Sequence, residues 1–232
     1  MNCFIAHIAN GKAELRSDES WHCAKVLRKK VGDRILVIDG NGGSYQAILS
    51  VVHEKKCSAD IASEITLQAL LPYYLHLAIA PTKQIDRIEW MLEKCVEIGI
   101  HEVSFFSSKN SERVNLKLER MVSIAESAVK QSLQARIPTL HALSDFSKVL
   151  ERAATSNSFI AHCEDTEKTE IRNINFKQKP LCVFVGPEGD FTKAEIDLAM
   201  SKGVKSLSLG QTRLRTETAG LYVCQAASLF SL

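Results

Sequence analysis

The sequence predicts a small β-barrel carrying one helix, followed by an α/β domain built on a parallel sheet. Three observations predict it. Up to about residue 70 the chain holds short β-rich runs broken by Asp-Gly and Asn-Gly turns. After that, continuous apolar strands alternate with longer amphipathic helices. The change of character falls at Leu70-Leu71-Pro72, which places the boundary at 70 to 74 and the two domains at 1–71 and 72–232.

In the first domain, Ser17 is positioned to cap a helix running through Lys29, with Trp21, Lys25 and Arg28 at helical spacing. Arg34–Ile38 and Tyr45–Val52 read as strands around the turn Asp39-Gly40-Asn41-Gly42-Gly43. The second domain opens with an apolar strand at 75–80, ended by Pro81. A helix follows in which Ile85, Ile88, Met91, Leu92, Cys95 and Val96 share one face and Gly99 supplies the C-cap. A strand at 103–106, a helix over 116–133, and strands at 159–162 and 181–185 complete the pattern up to the informative loops.

Hydrophobic residues at 45% and charged residues at 24% fit a soluble globular chain and exclude a disordered or fibrous one. A formal net charge of +2 is too small to announce a polyanion partner, so a nucleic-acid argument rests on where the charges cluster. The cysteines at 3, 23, 57, 95, 163, 182 and 224 are odd in number and form no CxxC pair. Zinc and a disulfide framework are therefore not expected, and no metal is. The first thirty residues are interrupted by Asp18, Glu19, Lys25, Arg28, Lys29 and Lys30, and no window reaches the ~18 apolar residues of a membrane span. The expectation is a cytoplasmic protein without membrane contact.

The chemistry concentrates in two loops. Val185 leads into Gly186-Pro187-Glu188-Gly189-Asp190-Phe191, and Thr192 to Glu195 forms a capping box that opens a helix. A strand-to-helix loop with two glycines suits close backbone approach to a flat ligand, although an ordinary tight turn would carry the same residues. The strand Ser206–Leu209 leads into Gly210-Gln211-Thr212-Arg213-Leu214-Arg215-Thr216-Glu217-Thr218-Ala219 and an apolar terminal helix over 217–230. Two arginines, a glutamate and three threonines between buried elements are costly unless they are paired or bind something. An Arg-Glu pair capping the helix is the alternative. Lys25, Arg28, Lys29 and Lys30 form the dense basic run of the first domain, which by itself reads equally as a solvated helix face.

FVGPEGDFTKAEI at 184–196 together with LSLGQTRLRTETAGLY at 207–222 resembles the RsmE family of ribosomal RNA methyltransferases, within the SPOUT class. The resemblance continues upstream in KVLRKKVGD at 25–33, EKCVEIGI at 93–100, SER at 111–113 and AESAVKQS at 125–132, and so covers nearly the whole chain in order. The chain departs from the pattern at Asp190, where a second glycine is common, at Thr212-Arg213 and at Ser132-Leu133.

The resemblance implies a SPOUT-type α/β knot, a deep trefoil knot in a mostly parallel sheet, behind a PUA-like barrel that binds RNA. It implies S-adenosylmethionine as cofactor, held by Val185, Gly186, Pro187, Glu188, Gly189, Ser208, Leu209, Gly210 and Leu214. The implied reaction is methylation of uridine N3 in small-subunit (16S) ribosomal RNA. Arg215 is the candidate for stabilising charge on the base, Glu217 for orienting Arg215, and Glu188 a second candidate base. Lys25, Arg28, Lys29, Lys30 and Arg113 are the expected RNA contacts, with Arg113 reaching from the other subunit of a homodimer formed through the knot domain. Two rivals stand beside this: a related methyltransferase of transfer RNA, and a non-catalytic RNA-binding ribosome-assembly factor.

Overall fold

The computed structural model describes residues 2–67, 71–153, 157–178 and 180–231. The chain divides into two compact units, Met1–Leu70 with Glu126–Ile137 and Leu71–Ala125 with Pro138–Leu232. Residue 70, where the expected boundary range begins, lies outside the described residues.

In the first unit β1 (Cys3–Ala9), β2 (Lys12–Leu15), β3 (Arg34–Ile38), β4 (Ser44–Val51) and β5 (Ser58–Glu64) form a closed barrel in the order β1-β2-β5-β4-β3. Parallel pairing of β1 with β3 closes it, so no strand edge is left unpaired. Alternate side chains fill the inside: Phe4, Leu15, Ile35, Val37 and Leu49 with the small Ala13, Ala47 and Ala59. The expected hairpin joins β3 to β4. Asp39 Oδ1 accepts from the backbone N–H of Asn41 at 2.7 Å and of Gly43 at 2.9 Å, which is how an aspartate mimics a turn of backbone.

The helix expected from Ser17 through Lys29 is shorter than its spacing suggests. α1 (Ser17–Trp21) passes into a π turn at His22–Val26, and Arg28 turns away at φ 50°. Arg16 stands at the N-cap in place of Ser17, without a side-chain cap. Tertiary anchoring overrides local propensity here: buried Ser20 accepts from Cys57 N–H at 2.9 Å, and Cys23 is held in the barrel core.

The second unit is a seven-stranded sheet of β6 (Leu75–Ile79), β7 (Glu102–Ser107), β8 (Thr139–Asp145), β9 (Ser158–Ala161), β10 (Thr169–Glu170), β11 (Leu181–Val185) and β12 (Lys205–Ser208). Its order is β10-β12-β9-β11-β6-β7-β8, and every pairing is parallel. The helices are α2 (Ile85–Ile98), α4 (Phe146–Ala153), α5 (Lys193–Ser201), α6 (Thr216–Phe230) and α3 (Leu118–Gln131), whose residues from Glu126 onward belong to the first unit. β6 and β11 are buried at every residue, as expected of central strands covered on both faces. Gly99 closes α2 at φ 114° and Thr192 opens α5 with a complete capping box, both as the sequence predicts. Cys95, Cys182 and Cys224 are buried thiols.

β12 lies beyond β9, yet the helix after it, α6, packs back on β6, β11 and α2. The C-terminal segment therefore crosses the β11 loop, the arrangement of the knotted α/β fold that the resemblance implies. Close approach depends on Gly220: a Cβ there would stand 2.9 Å from Ile79 Cδ1 and 3.1 Å from Met91 Sδ. Gly220→Val is expected to destabilise the protein by about 2 kcal/mol or more through overpacking, measured by denaturant unfolding.

Candidate active site

The carboxyl ends of the parallel strands bring together segments far apart in sequence. Residues 186–192 follow β11 and residues 209–215 follow β12. The Thr216 hydroxyl donates to the Gly186 carbonyl at 3.0 Å, a buried bond that joins the two loops. Ala80 N–H donates to Val185 O at 3.0 Å, adding the end of β6 to the same cluster. Gly210 sits at φ 127° with nothing within 4 Å of where a Cβ would stand. Its backbone therefore faces open space, between the half-buried Ser208, Leu209 and Leu214 on its own loop. With the buried Pro187 on the other loop, this offers apolar flanks and bare backbone to a flat heterocycle.

The first loop is braced from several sides. Asp190 adopts φ 61°, a conformation that a non-glycine residue holds only when its surroundings compensate. Its carboxylate accepts from Cys163 N–H and from Phe191 N–H, each at 2.8 Å. The Asn110 amide donates to the carbonyls of Gly189 and Asp190 at 3.0 and 3.1 Å, and a Cβ on Gly189 would stand 3.0 Å from Asn110 Cβ. Glu188 Oε1 accepts from Lys83 N–H at 3.0 Å. Arg113 donates to the carbonyls of Thr82 at 3.0 Å and Lys83 at 2.5 Å. Asn110 and Cys163 escaped the sequence reading, since a lone polar residue in a turn carries no pattern, whereas Thr216 belongs to the polar group of the second loop that the sequence marks as needing partners.

Arg215 and Glu217 are neighbours in sequence but do not pair. Arg215 is the extended N-cap residue of α6, exposed to solvent. Glu217, in the first turn of the helix, is buried and faces α2, where Arg87 Nη1 lies 3.6 Å from its Oε1. Glu217 Oε2 is buried without a hydrogen-bond partner. The cation within reach of Glu217 is therefore Arg87, on α2.

The basic run lies in the barrel unit. Lys25, Arg28 and Lys30 are exposed and Lys29 is half-buried. Lys25 pairs with Glu54 at 2.9 Å, both side chains open to solvent, so that bond contributes little.

A cavity of about 100 Å³ lies at the opposite, amino-terminal ends of the strands, lined by His76, Glu102, Arg152 and Cys182 among others. Its polar groups satisfy one another. His141 and the Tyr74 hydroxyl bond Glu102 at 2.6 and 2.9 Å, and His76 bonds Ser104 at 2.8 Å. Burial drives the His76 pKa down to about 4. Burial also raises Glu102, but the neighbouring His76 and the bonds from His141 and Tyr74 outweigh it and hold the carboxyl below its usual range. Among the described residues no group of three or more His, Cys, Asp or Glu could hold a metal ion. Among them, too, no helix is long and apolar enough to cross a membrane.

Comparison with known proteins follows the same division. Residues 69–228 match the RNA methyltransferase domain family, and residues 15–62 match the RNA methyltransferase PUA domain. The ribosomal RNA small subunit methyltransferase E of a Synechocystis strain is 30% identical, over 91% of this chain and 71% of its own. The protein of the same name from Bacillus subtilis is 27% identical over 92% of this chain and 88% of its own. The crystal structure of the Neisseria gonorrhoeae ribosomal RNA small subunit methyltransferase E bound to S-adenosyl methionine superposes with a TM-score of 0.86. It is 26% identical and covers 97% of this chain and 96% of its own.

The bracing of the first loop is open to test by stability. Asp190→Ala is expected to cost about 1–3 kcal/mol, because it removes two charge-assisted bonds while keeping a side chain at positive φ. Asp190→Gly is expected to cost less, since glycine takes that φ without strain. Denaturant unfolding of the two variants beside the parent measures the difference.

Proposed function

We propose a reaction for this chain from one premise: it belongs to the RsmE family of RNA methyltransferases. The reaction is methyl transfer from S-adenosylmethionine to N3 of a uridine in small-subunit ribosomal RNA. The observation that carries this reading is the pair of glycine-containing loops tied by Thr216 to Gly186, with the Gly210 backbone open beside them.

Val185, Gly186, Pro187, Glu188 and Gly189 on one loop, and Ser208, Leu209, Gly210 and Leu214 on the other, would hold the cofactor. When bound, S-adenosylmethionine supplies an electrophilic methyl group on a positively charged sulfur. The chain's own task is to handle the uridine, whose N3 must lose a proton and whose flanking carbonyl oxygens take up the resulting charge. Arg215 is free, exposed and fixed at the first turn of α6. Its guanidinium fork and the positive end of a 15-residue helix both stabilise that charge. Glu217 acts as a positioning residue, holding the start of α6 against Arg87. Glu188 is engaged by Lys83 N–H and steadies the loop, which leaves proton removal to solvent or to the substrate's surroundings.

Lys25, Arg28, Lys29 and Lys30 in the barrel unit grip phosphates in this reading, while Arg113 shapes the Thr82-Lys83 backbone that Glu188 meets. Homodimerisation through the knot domain is supported by the apolar residues that α6 leaves exposed, Tyr222, Leu229 and Phe230. The working place is the cytoplasm, where the ribosomal substrate is made.

Labelled S-adenosylmethionine with small ribosomal subunits, protein-free ribosomal RNA and transfer RNA tests the reading. N3-methyluridine in the small-subunit RNA is the expected product. Methylation of transfer RNA alone would move the chain to another branch, and cofactor binding without transfer would favour an assembly factor. Arg215→Ala is expected to lower kcat by about 100-fold while cofactor affinity, measured by calorimetry, stays the same.

A further inference from the structure

We propose that Trp21 is a stacking platform for one unpaired nucleobase of the RNA substrate, with Lys25, Arg28 and Lys30 holding the phosphates on either side. The proposal rests on the RNA methyltransferase reading and adds a contact to it.

Trp21 ends α1 and is 55% exposed. A single exposed apolar residue is ordinary, but this one does not stand alone. Val26 at 52% and Val31 at 64% are exposed in the same eleven-residue stretch, interleaved with Lys25, Arg28 and Lys30, also exposed. The π turn is responsible. Leu27 N–H reaches back to His22 O, five residues away, so the widened turn leaves both Lys25 and Val26 outside while Cys23 is buried.

The backbone carrying the indole is held rigidly on both sides. Glu19 is buried and receives a hydrogen bond from Lys130 at 2.5 Å. Ser20 donates to Leu15 O at 3.3 Å and accepts from Cys57 N–H at 2.9 Å. Arg16 makes two bonds to Glu126 at 2.7 and 2.6 Å, and the His22 ring meets Phe4 edge-on at 6.4 Å. An aromatic ring presented from a fixed backbone loses little freedom when it is covered, the condition for a pre-organised contact.

The occupant follows from the surroundings. An indole and two valines exposed in one short stretch offer too little apolar surface for a folded partner, and the interleaved cations match a phosphate chain. Every base has a face that stacks on an aromatic ring, and only an unpaired base offers that face, so the fit is to single-stranded rather than duplex RNA.

The sequence has two tryptophans, Trp21 and Trp90, so Trp90→Phe leaves Trp21 as sole fluorophore. Its emission is expected to be quenched saturably by a mixed-sequence single-stranded RNA oligonucleotide, and not by the same sequence as a duplex. Trp21→Ala should weaken binding of the single strand by about 10-fold to 100-fold, Trp21→Phe should restore most of the affinity, and thermal unfolding should match the parent. If Trp21→Ala binds as tightly as the parent while Arg28→Glu with Lys30→Glu binds weakly, the stacking proposal is overturned and the RNA reading stands. No binding of any RNA by the parent protein would bring down both. An emission shift with protein concentration alone would show the indole covered by a second copy, and would also overturn it.

Discussion

One buried hydrogen bond organises the candidate site: the Thr216 hydroxyl on the carbonyl of Gly186, 3.0 Å away. It ties the residue that starts α6 to the residue that follows β11, thirty positions earlier. A bare carbonyl at the end of a buried strand needs a donor, and the threonine is delivered to it only because α6 returns across the sheet. That return in turn needs Gly220, where the helix backbone lies against Ile79, Met91 and Leu77. Remove the close approach and the two loops lose their common frame, even though each strand could still pair.

Around that frame, the carboxylates of the site are occupied in bracing. Asp190 holds Cys163 and Phe191, Glu188 holds Lys83, and Glu217 faces Arg87. Glu195 serves twice, closing the capping box of α5 with Thr192 and accepting from Lys109 N–H at 2.8 Å. Each is a charged acceptor on a backbone N–H or a cation, stronger than a neutral pair and well suited to fixing a loop. Arg215 is a charged group that this bracing leaves uncommitted. A guanidinium kept free beside a helix start is useful to a reaction in which negative charge develops on a base.

The barrel unit follows the same economy with different means. Its core is closed by small residues and α1 is pinned by Ser20, Glu19 and Arg16. The pinning bends the helix into a π turn and leaves the basic residues outside with Trp21.

Residue order alone determined a good deal. The Asp39–Gly43 turn, the Gly99 cap, the Thr192-Glu195 box and the buried runs at 75–79 and 181–185 are local signals whose physics operates within a few residues, and each was legible as such. The two glycine loops were legible too, because a strand followed by glycines and a capped helix is a pattern of neighbours. The extent of the first helix was misjudged, since Trp21, Lys25 and Arg28 keep helical spacing while Cys23 and Ser20 answer to the barrel. β10 is two residues long and β8 is only half-buried, too weak a periodicity to show. What only the tertiary structure decided is partnership: Glu217 with Arg87 instead of Arg215, Asp190 with Cys163, Asn110 with Gly189. Those contacts join residues 27 to 130 positions apart, and a pattern within a window cannot see which distant donor the fold will place beside a given acceptor.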